Sequence, residues 1–161
     1  GKNFKYLVLT HHHVDHTGGL RSYVADGATV VAGKGDGAFF RGVLSAPRTL
    51  NPYPIDGAVA PNVIEVDGKW SVNDGGRTIE AYSLDNPHAQ GYLIPYVPDA
   101  KTGFVTDLWN PGPMVAGTAN PNMVAIVRGM EKAGIQPEKF AGGHGAVGNY
   151  ADLVRVVGPA R

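Results

Sequence analysis

The chain has 161 residues, with 14 Lys and Arg balanced against 14 Asp and Glu, which is the size of one ordinary domain spanning residues 1–161 with no net charge. That balance removes the uniform attraction by which nucleic-acid binders displace counterions, and no apolar run approaches the roughly 18 residues of a membrane span, so neither partner is expected. With no cysteine, disulfides, thiolate nucleophiles and Cys-ligated metal are excluded, and any ion must be held by His and carboxylate.

The chain opens Gly1-Lys2-Asn3-Phe4, without an initiator Met or a signal pattern, so the natural start is expected to be upstream or trimmed, and nothing here specifies a compartment. Residues 4–9 form a short apolar and β-branched run that predicts a buried strand. A helix over 20–24, stopped by Asp26-Gly27, and a strand over 28–32 follow, which is the rhythm of an α/β layer. A helix around Phe39, Phe40, Val43 and Leu44 leads into an excursion punctuated by Pro47, Pro52, Pro54 and Pro61. Residues 63–66, 69–72 and 77–83 predict an antiparallel meander with turns at Asp67-Gly68 and Asp74-Gly75-Gly76. A hairpin over 91–97 and 102–106 comes next. Asn120-Pro121 opens a helix that Gly134 closes, and a strand over 139–142 and a helix over 149–157 end the chain. No repeat or interdomain linker interrupts this order.

Chemistry concentrates in Thr10-His11-His12-His13-Val14-Asp15-His16-Thr17-Gly18-Gly19. Past a strand end the chain is extended, so side chains at i and i+2 face one way and His11 and His13 can point at one ion while His12 points away. Asp15 and His16 follow at a distance suited to a neighbouring ion. An affinity tag or solvated loop is the plainer explanation of a His-rich string, but a tag is an uninterrupted terminal run, and this string follows a strand and contains Val14 and Asp15. Two further histidines stand in Asn86-Pro87-His88-Ala89-Gln90-Gly91 and Gly142-Gly143-His144-Gly145, each at a predicted strand end.

These residues resemble the metallo-β-lactamase fold hydrolases: a His-x-His-x-Asp-His string, an isolated His before a hairpin, an Asp at the hairpin's end and a late Gly-His-Gly, in that order. The resemblance runs from about Leu7 to the C-terminus. It implies an α/β fold, the αβ/βα sandwich of that family, here expected to be incomplete because the family's opening strands would precede Phe4. By resemblance, His11, His13 and His88 hold a first metal, Asp15, His16 and His144 a second, and Asp107 bridges both. His12 falls at a variable position. Two departures, Thr106 where Gly commonly stands and Ala89-Gln90 where Thr-Pro or Ser-Pro is common, remove no ligand.

The implied cofactor is two Zn2+, with Fe or Mn as alternatives. The implied chemistry is attack by a hydroxide held between two ions on a small ester, lactone or thioester, with Asp15 orienting the water and carrying a proton. An Asp at 107 is typical of the lactonase, thioesterase, nuclease and dioxygenase branches, whereas β-lactamases of this fold tend to place Cys or Ser there. Two other readings compete: a metal-binding half-domain without turnover, and an iron-dependent sulfur dioxygenase of the same fold. Trp109, Asn110 and Met114, with Phe39, Phe40 and Tyr53, are candidates for the mouth of the site, although packing is the commoner role for such side chains. Trp70 and Tyr82 are expected in the core, and Arg21 and Lys34 in solvent. The partners expected are a small-molecule substrate and, because residues 4–9 lack a neighbouring strand, either a second copy of the chain or a missing N-terminal segment.

Overall fold

The computed structural model describes residues 3–47, 61–113 and 118–158; the Pro-rich excursion through Pro52, Tyr53 and Pro54, and Met114, lie outside them. In chain order come β1 (Tyr6–Val8), a single helical turn α1 (Val14–Thr17), α2 (Leu20–Ala25), β2 (Thr29–Gly33) and α3 (Gly37–Ser45). Next are β3 (Val63–Val66), β4 (Lys69–Asp74), β5 (Arg77–Ser83), β6 (Leu93–Val97) and β7 (Thr102–Val105). The chain continues through α4 (Pro121–Ala133), β8 (Lys139–Gly142), β9 (Val147–Asn149) and α5 (Tyr150–Val157).

The strands form two sheets, a three-stranded one in the order β1-β2-β3 and a six-stranded one running from β4 to β9 in sequence order. All pairs of the small sheet are parallel, whereas the large sheet is antiparallel except between β7 and β8. A parallel pair needs a crossover, and α4 provides it. Alternation along β2 assigns its two faces. Val30 and Ala32 pack with Leu20, Val24 and Phe40 under α2 and α3, while Val31 turns to Val66, Ala81 and Leu93 between the sheets. On the far side, Ile94, Val105 and Phe140 of the large sheet meet Ile126 and Met130 of α4 and Leu153 of α5. The result is helix, sheet, sheet, helix, in four layers.

Helix α4 shows why these residues take this form. Asn120 accepts the amide of Met123 at 3.0 Å, Pro121 fills the first turn, and Gly134 closes the helix with φ +68°. Its buried Met123, Ile126, Val127 and Met130 recur at the spacing of one helical face, each contributing roughly 1.5–3 kcal/mol on burial. The β5–β6 connection closes on the end of β2 at Gly33, where a Cβ would lie 1.8 Å from the Gly91 carbonyl oxygen. Any side chain there would push that connection off β2.

The expected meander needs correction. Residues 63–66 do not pair with 69–74; β3 lies parallel to β2, with Val31 opposite Ile64, and Asp67-Gly68 carries the chain from one sheet into the other. A hairpin would have left the parallel edge of β2 unpaired. The strand over 147–149 and the helical turn over 14–17 were not foreseen, both being too short to show periodicity. Arg21 is not simply solvated: its guanidinium donates to the Val43 and Ala46 carbonyls and closes the C-terminus of α3. Lys34 is exposed and pairs with Asp67. Tyr82 is buried, and half-buried Trp70 packs against the inter-sheet cluster.

Candidate metal centre

Four chain segments converge at one end of the sandwich. The end of β1 delivers His11 to His13, with His13 extended (φ −63°, ψ 147°) as the residue preceding α1. That single turn then carries Asp15 and His16, so the second part of the string is helical and the extended geometry ends at His13. The β5–β6 connection supplies His88, the residue pair after β7 supplies Asp107, and the β8–β9 turn supplies His144. A hydrogen bond from the Leu93 amide to the Thr10 carbonyl, 2.7 Å, ties the first segment to the start of β6.

Two donor groups result, His11 with His13, His88 and Asp107, and Asp15 with His16, Asp107 and His144; within each, one ligand atom per residue lies within 4.8 Å of all the others. Asp107 belongs to both. Its Oδ2 lies 3.1 Å from His11 Nε2, 2.8 Å from His16 Nε2 and 3.3 Å from His88 Nε2, while its Oδ1 lies 3.1 Å from His144 Nε2. Asp15 Oδ2 stands 3.2 Å from His16 Nε2 and 3.7 Å from His144 Nε2. Burial is graded: His11 is buried and Asp15 and His144 are exposed, which leaves the second group open to solvent.

Protonation favours lone pairs here. Burial, reinforced by the His16 and His13 imidazoles, pushes His11 down to about 4, so its ring is neutral near pH 7. Burial opposes ionisation of Asp107, but the surrounding His16, His11, His88 and His144 outweigh it and hold the carboxyl below the usual range. His11 Nε2 and His88 Nε2 face one another at 3.2 Å, and buried His16 Nε2 meets the Asp107 and Asp15 carboxylates at short distance but outside hydrogen-bond geometry. Imidazoles converging on a carboxylate by their Nε2 atoms form a donor set that fits divalent metal.

The supporting groups were mostly invisible in the sequence. Thr10 Oγ1 lies 3.1 Å from His11 Nδ1, leaving Nε2 to face the cluster. Asn86 folds the His88 loop: its Oδ1 accepts the amides of His88 and Ala89 at 2.9 and 3.0 Å, and its Nδ2 donates to the Leu84 and Ala89 carbonyls at 2.8 and 3.0 Å. The Asn-Pro pair was the available signal for that turn. Tyr92 was missed altogether. It is buried, its ring stacks on His11 at 5.3 Å, and its hydroxyl donates to the Thr106 carbonyl at 2.7 Å and accepts the Thr106 amide at 3.1 Å. It thereby grips the peptide beside Asp107, which sits at φ +60°, a left-handed conformation that costs a non-glycine residue about 1–3 kcal/mol.

Among the candidates for the mouth, Phe40 and Trp109 are buried in the core, Trp109 edge-on to Phe140. Asn110 is exposed, and Phe39 is exposed with its ring against His12.

The sequence profile described as Metallo-beta-lactamase superfamily matches residues 1–144, and the chain belongs to that superfamily. A search of curated protein sequences found no match. Solved structures with this fold include a metallo-beta-lactamase from Pontibacter korlensis, 21% identical with TM-score 0.64, covering 92% of this chain and 65% of its own. An archaeal metallo-beta-lactamase superfamily protein from Sulfolobus tokodaii is 19% identical with TM-score 0.65, over 96% of this chain and 67% of its own. The rubredoxin oxygen:oxidoreductase of Desulfovibrio gigas is 15% identical with TM-score 0.66, over 94% of this chain and 41% of its own. The chain thus spans about two thirds or less of these proteins' lengths, and the fold they share carries both lactamase and oxidoreductase names.

Proposed function

We propose that the chain is a metal-dependent hydrolase with a dinuclear centre, acting on a small ester, lactone or thioester. The observation that carries this reading is the position of Asp107, one carboxylate shared by both donor groups, with Oδ2 toward His11, His88 and His16 and Oδ1 toward His144. In this reading His11, His13 and His88 hold one ion, Asp15, His16 and His144 hold the other, and Asp107 is shared. Zinc suits this nitrogen-rich donor set, with iron and manganese as the alternatives. When bound, two such ions supply Lewis acidity toward a substrate carbonyl and toward water at neutral pH.

The chain's own residues do the rest. His11, buried and backed by Thr10, fixes the closed side of the centre, while exposed Asp15 and His144 form its open side, where a substrate must enter. The Asp15 carboxylate, with 58% of its side chain accessible, orients an incoming water and accepts its proton. Tyr92 and Asn86 hold Asp107 and His88 in place, so the donor geometry is set before any ligand arrives.

Elemental analysis after loading with zinc tests this reading, with about two equivalents per chain expected. Stoichiometry at or below one, unchanged by His144→Ala, would defeat the dinuclear centre. Iron as the metal acquired in cells, with no hydrolysis of ester or thioester substrates, would move the reading to iron-dependent sulfur oxidation.

A further inference from the structure

His12 is the histidine of the 11–13 run that neither donor group includes. Its buried Nδ1 lies 3.4 Å from Oδ1 of Asp36, a contact outside hydrogen-bond geometry, and makes no hydrogen bond. Asp36 is an unusual neighbour. It occupies the residue before α3, where an Asp ordinarily accepts a helix amide for about 1 kcal/mol, yet its side chain makes no capping bond. Instead the residue is buried, 7% exposed, with Oδ2 unpartnered.

The surroundings press this carboxylate toward His12. A Cβ on Gly91 would lie 2.8 Å from Asp36 Oδ2, so the peptide three residues beyond His88 closes one side. The ring of Phe39 stands at a steep angle to His12 with centroids 5.6 Å apart, covering it from another. A carboxylate buried without a donor is costly, and the side chain paired with Asp36 among the described residues is His12.

We propose that Asp36 is a positioning residue that holds His12 through Nδ1 and keeps this imidazole out of the metal centre. The proposal rests on the metal reading given above. Three consecutive histidines offer an ion three chemically equal ligands, and the His12 and His13 ring centroids are only 5.1 Å apart. Extended backbone separates them by direction, but a side-chain rotation can undo that. A carboxylate behind Nδ1 fixes both the tautomer and the ring orientation, the device by which metal-site histidines are usually steered toward an ion, used here to steer one away.

The test compares His12→Ala, Asp36→Ala and the double variant by Co2+ titration with visible absorption, together with the His12 tautomer in metal-free wild type by long-range 1H–15N correlation. Expected are the Nδ1–H tautomer, wild-type Co2+ spectrum and affinity in His12→Ala, and an altered spectrum with about tenfold or greater loss of affinity in Asp36→Ala. The double variant should recover to within about threefold of wild type, because removing His12 removes the competitor. A double variant as impaired as Asp36→Ala would show that Asp36 serves the fold alone and overturn the proposal. An Nε2–H tautomer in wild type would overturn it without any variant. Failure of the metal reading is a separate result, in which wild type itself takes up no Co2+.

Discussion

Replacing Tyr92 with Phe removes one oxygen and keeps the ring that stacks on His11, so it isolates what the hydroxyl does. The lost bonds are the one to the Thr106 carbonyl and the one from the Thr106 amide. The carbonyl retains the Leu108 amide at 2.6 Å, whereas the amide is left buried without a partner. One orphaned donor plus one lost hydrogen bond amounts to about 2 kcal/mol, which for a chain of this size lowers the melting temperature by roughly 4–8 °C. Residue 106 is also the anchor for Asp107 at φ +60°; once released, the backbone can relax that strain and withdraw the shared carboxylate. Zinc affinity should therefore fall by about 10- to 100-fold, as for other groups that orient metal ligands. Urea unfolding of the metal-free protein reads the first effect and zinc competition against a chromophoric chelator reads the second. A variant within about 0.5 kcal/mol of wild type that also retains its zinc affinity would refute the assignment of Tyr92 as the clamp on Asp107.

Three further outcomes are expected. His13→Ala should weaken zinc binding by at least about tenfold, whereas His12→Ala should leave it nearly unchanged; equal losses would mean that the strand-end alternation is misread. Asn86→Ala, which deletes four hydrogen bonds in the His88 loop, should cost about 2–3 kcal/mol and loosen His88; an unperturbed backbone amide spectrum for residues 84–92 would contradict that. The His11 pKa is lowered in the native state relative to an unfolded value near 6.5, so its contribution to metal-free stability is full above that value and is lost as pH falls toward about 4, by on the order of 3 kcal/mol. Chemical denaturation from pH 7 to 4 reads this directly, and a flat profile would show that His11 is not held neutral by the fold.

How far the fold could be read from the residues depended on the range of the forces involved. The Asn120 cap, the face of Met123, Ile126, Val127 and Met130, and the closing Gly134 all act within 15 residues, and α4 emerged with its observed start and end. The partition of strands between sheets did not. Whether Val63–Val66 joins β2 or β4 is decided by the unpaired edge of β2, more than 30 residues upstream, and Asp67-Gly68 serves as well for a change of sheet as for a hairpin, with Gly68 at φ +90° in the observed turn. Local turn chemistry cannot distinguish the two, because it is satisfied in both.

The site divides along the same line. His11, His13, Asp15 and His16 are close in sequence because a strand end followed by one helical turn projects them in two directions, and that geometry is written into their spacing. Asp107 has no such local signature; only its order after His88 and before His144 singled it out. Its support is more distant still, since Tyr92 acts on the neighbouring Thr106 from 14 residues away, and Asp36 meets His12 across two helices and a strand. Neither carries a motif. What reveals both is a physical anomaly visible only in the folded chain: a buried phenol bonded to both backbone groups of one residue, and an aspartate at a helix start that leaves the helix uncapped. Ligands can be recognised by type and spacing, but the groups that place them are recognised by what their burial would otherwise cost.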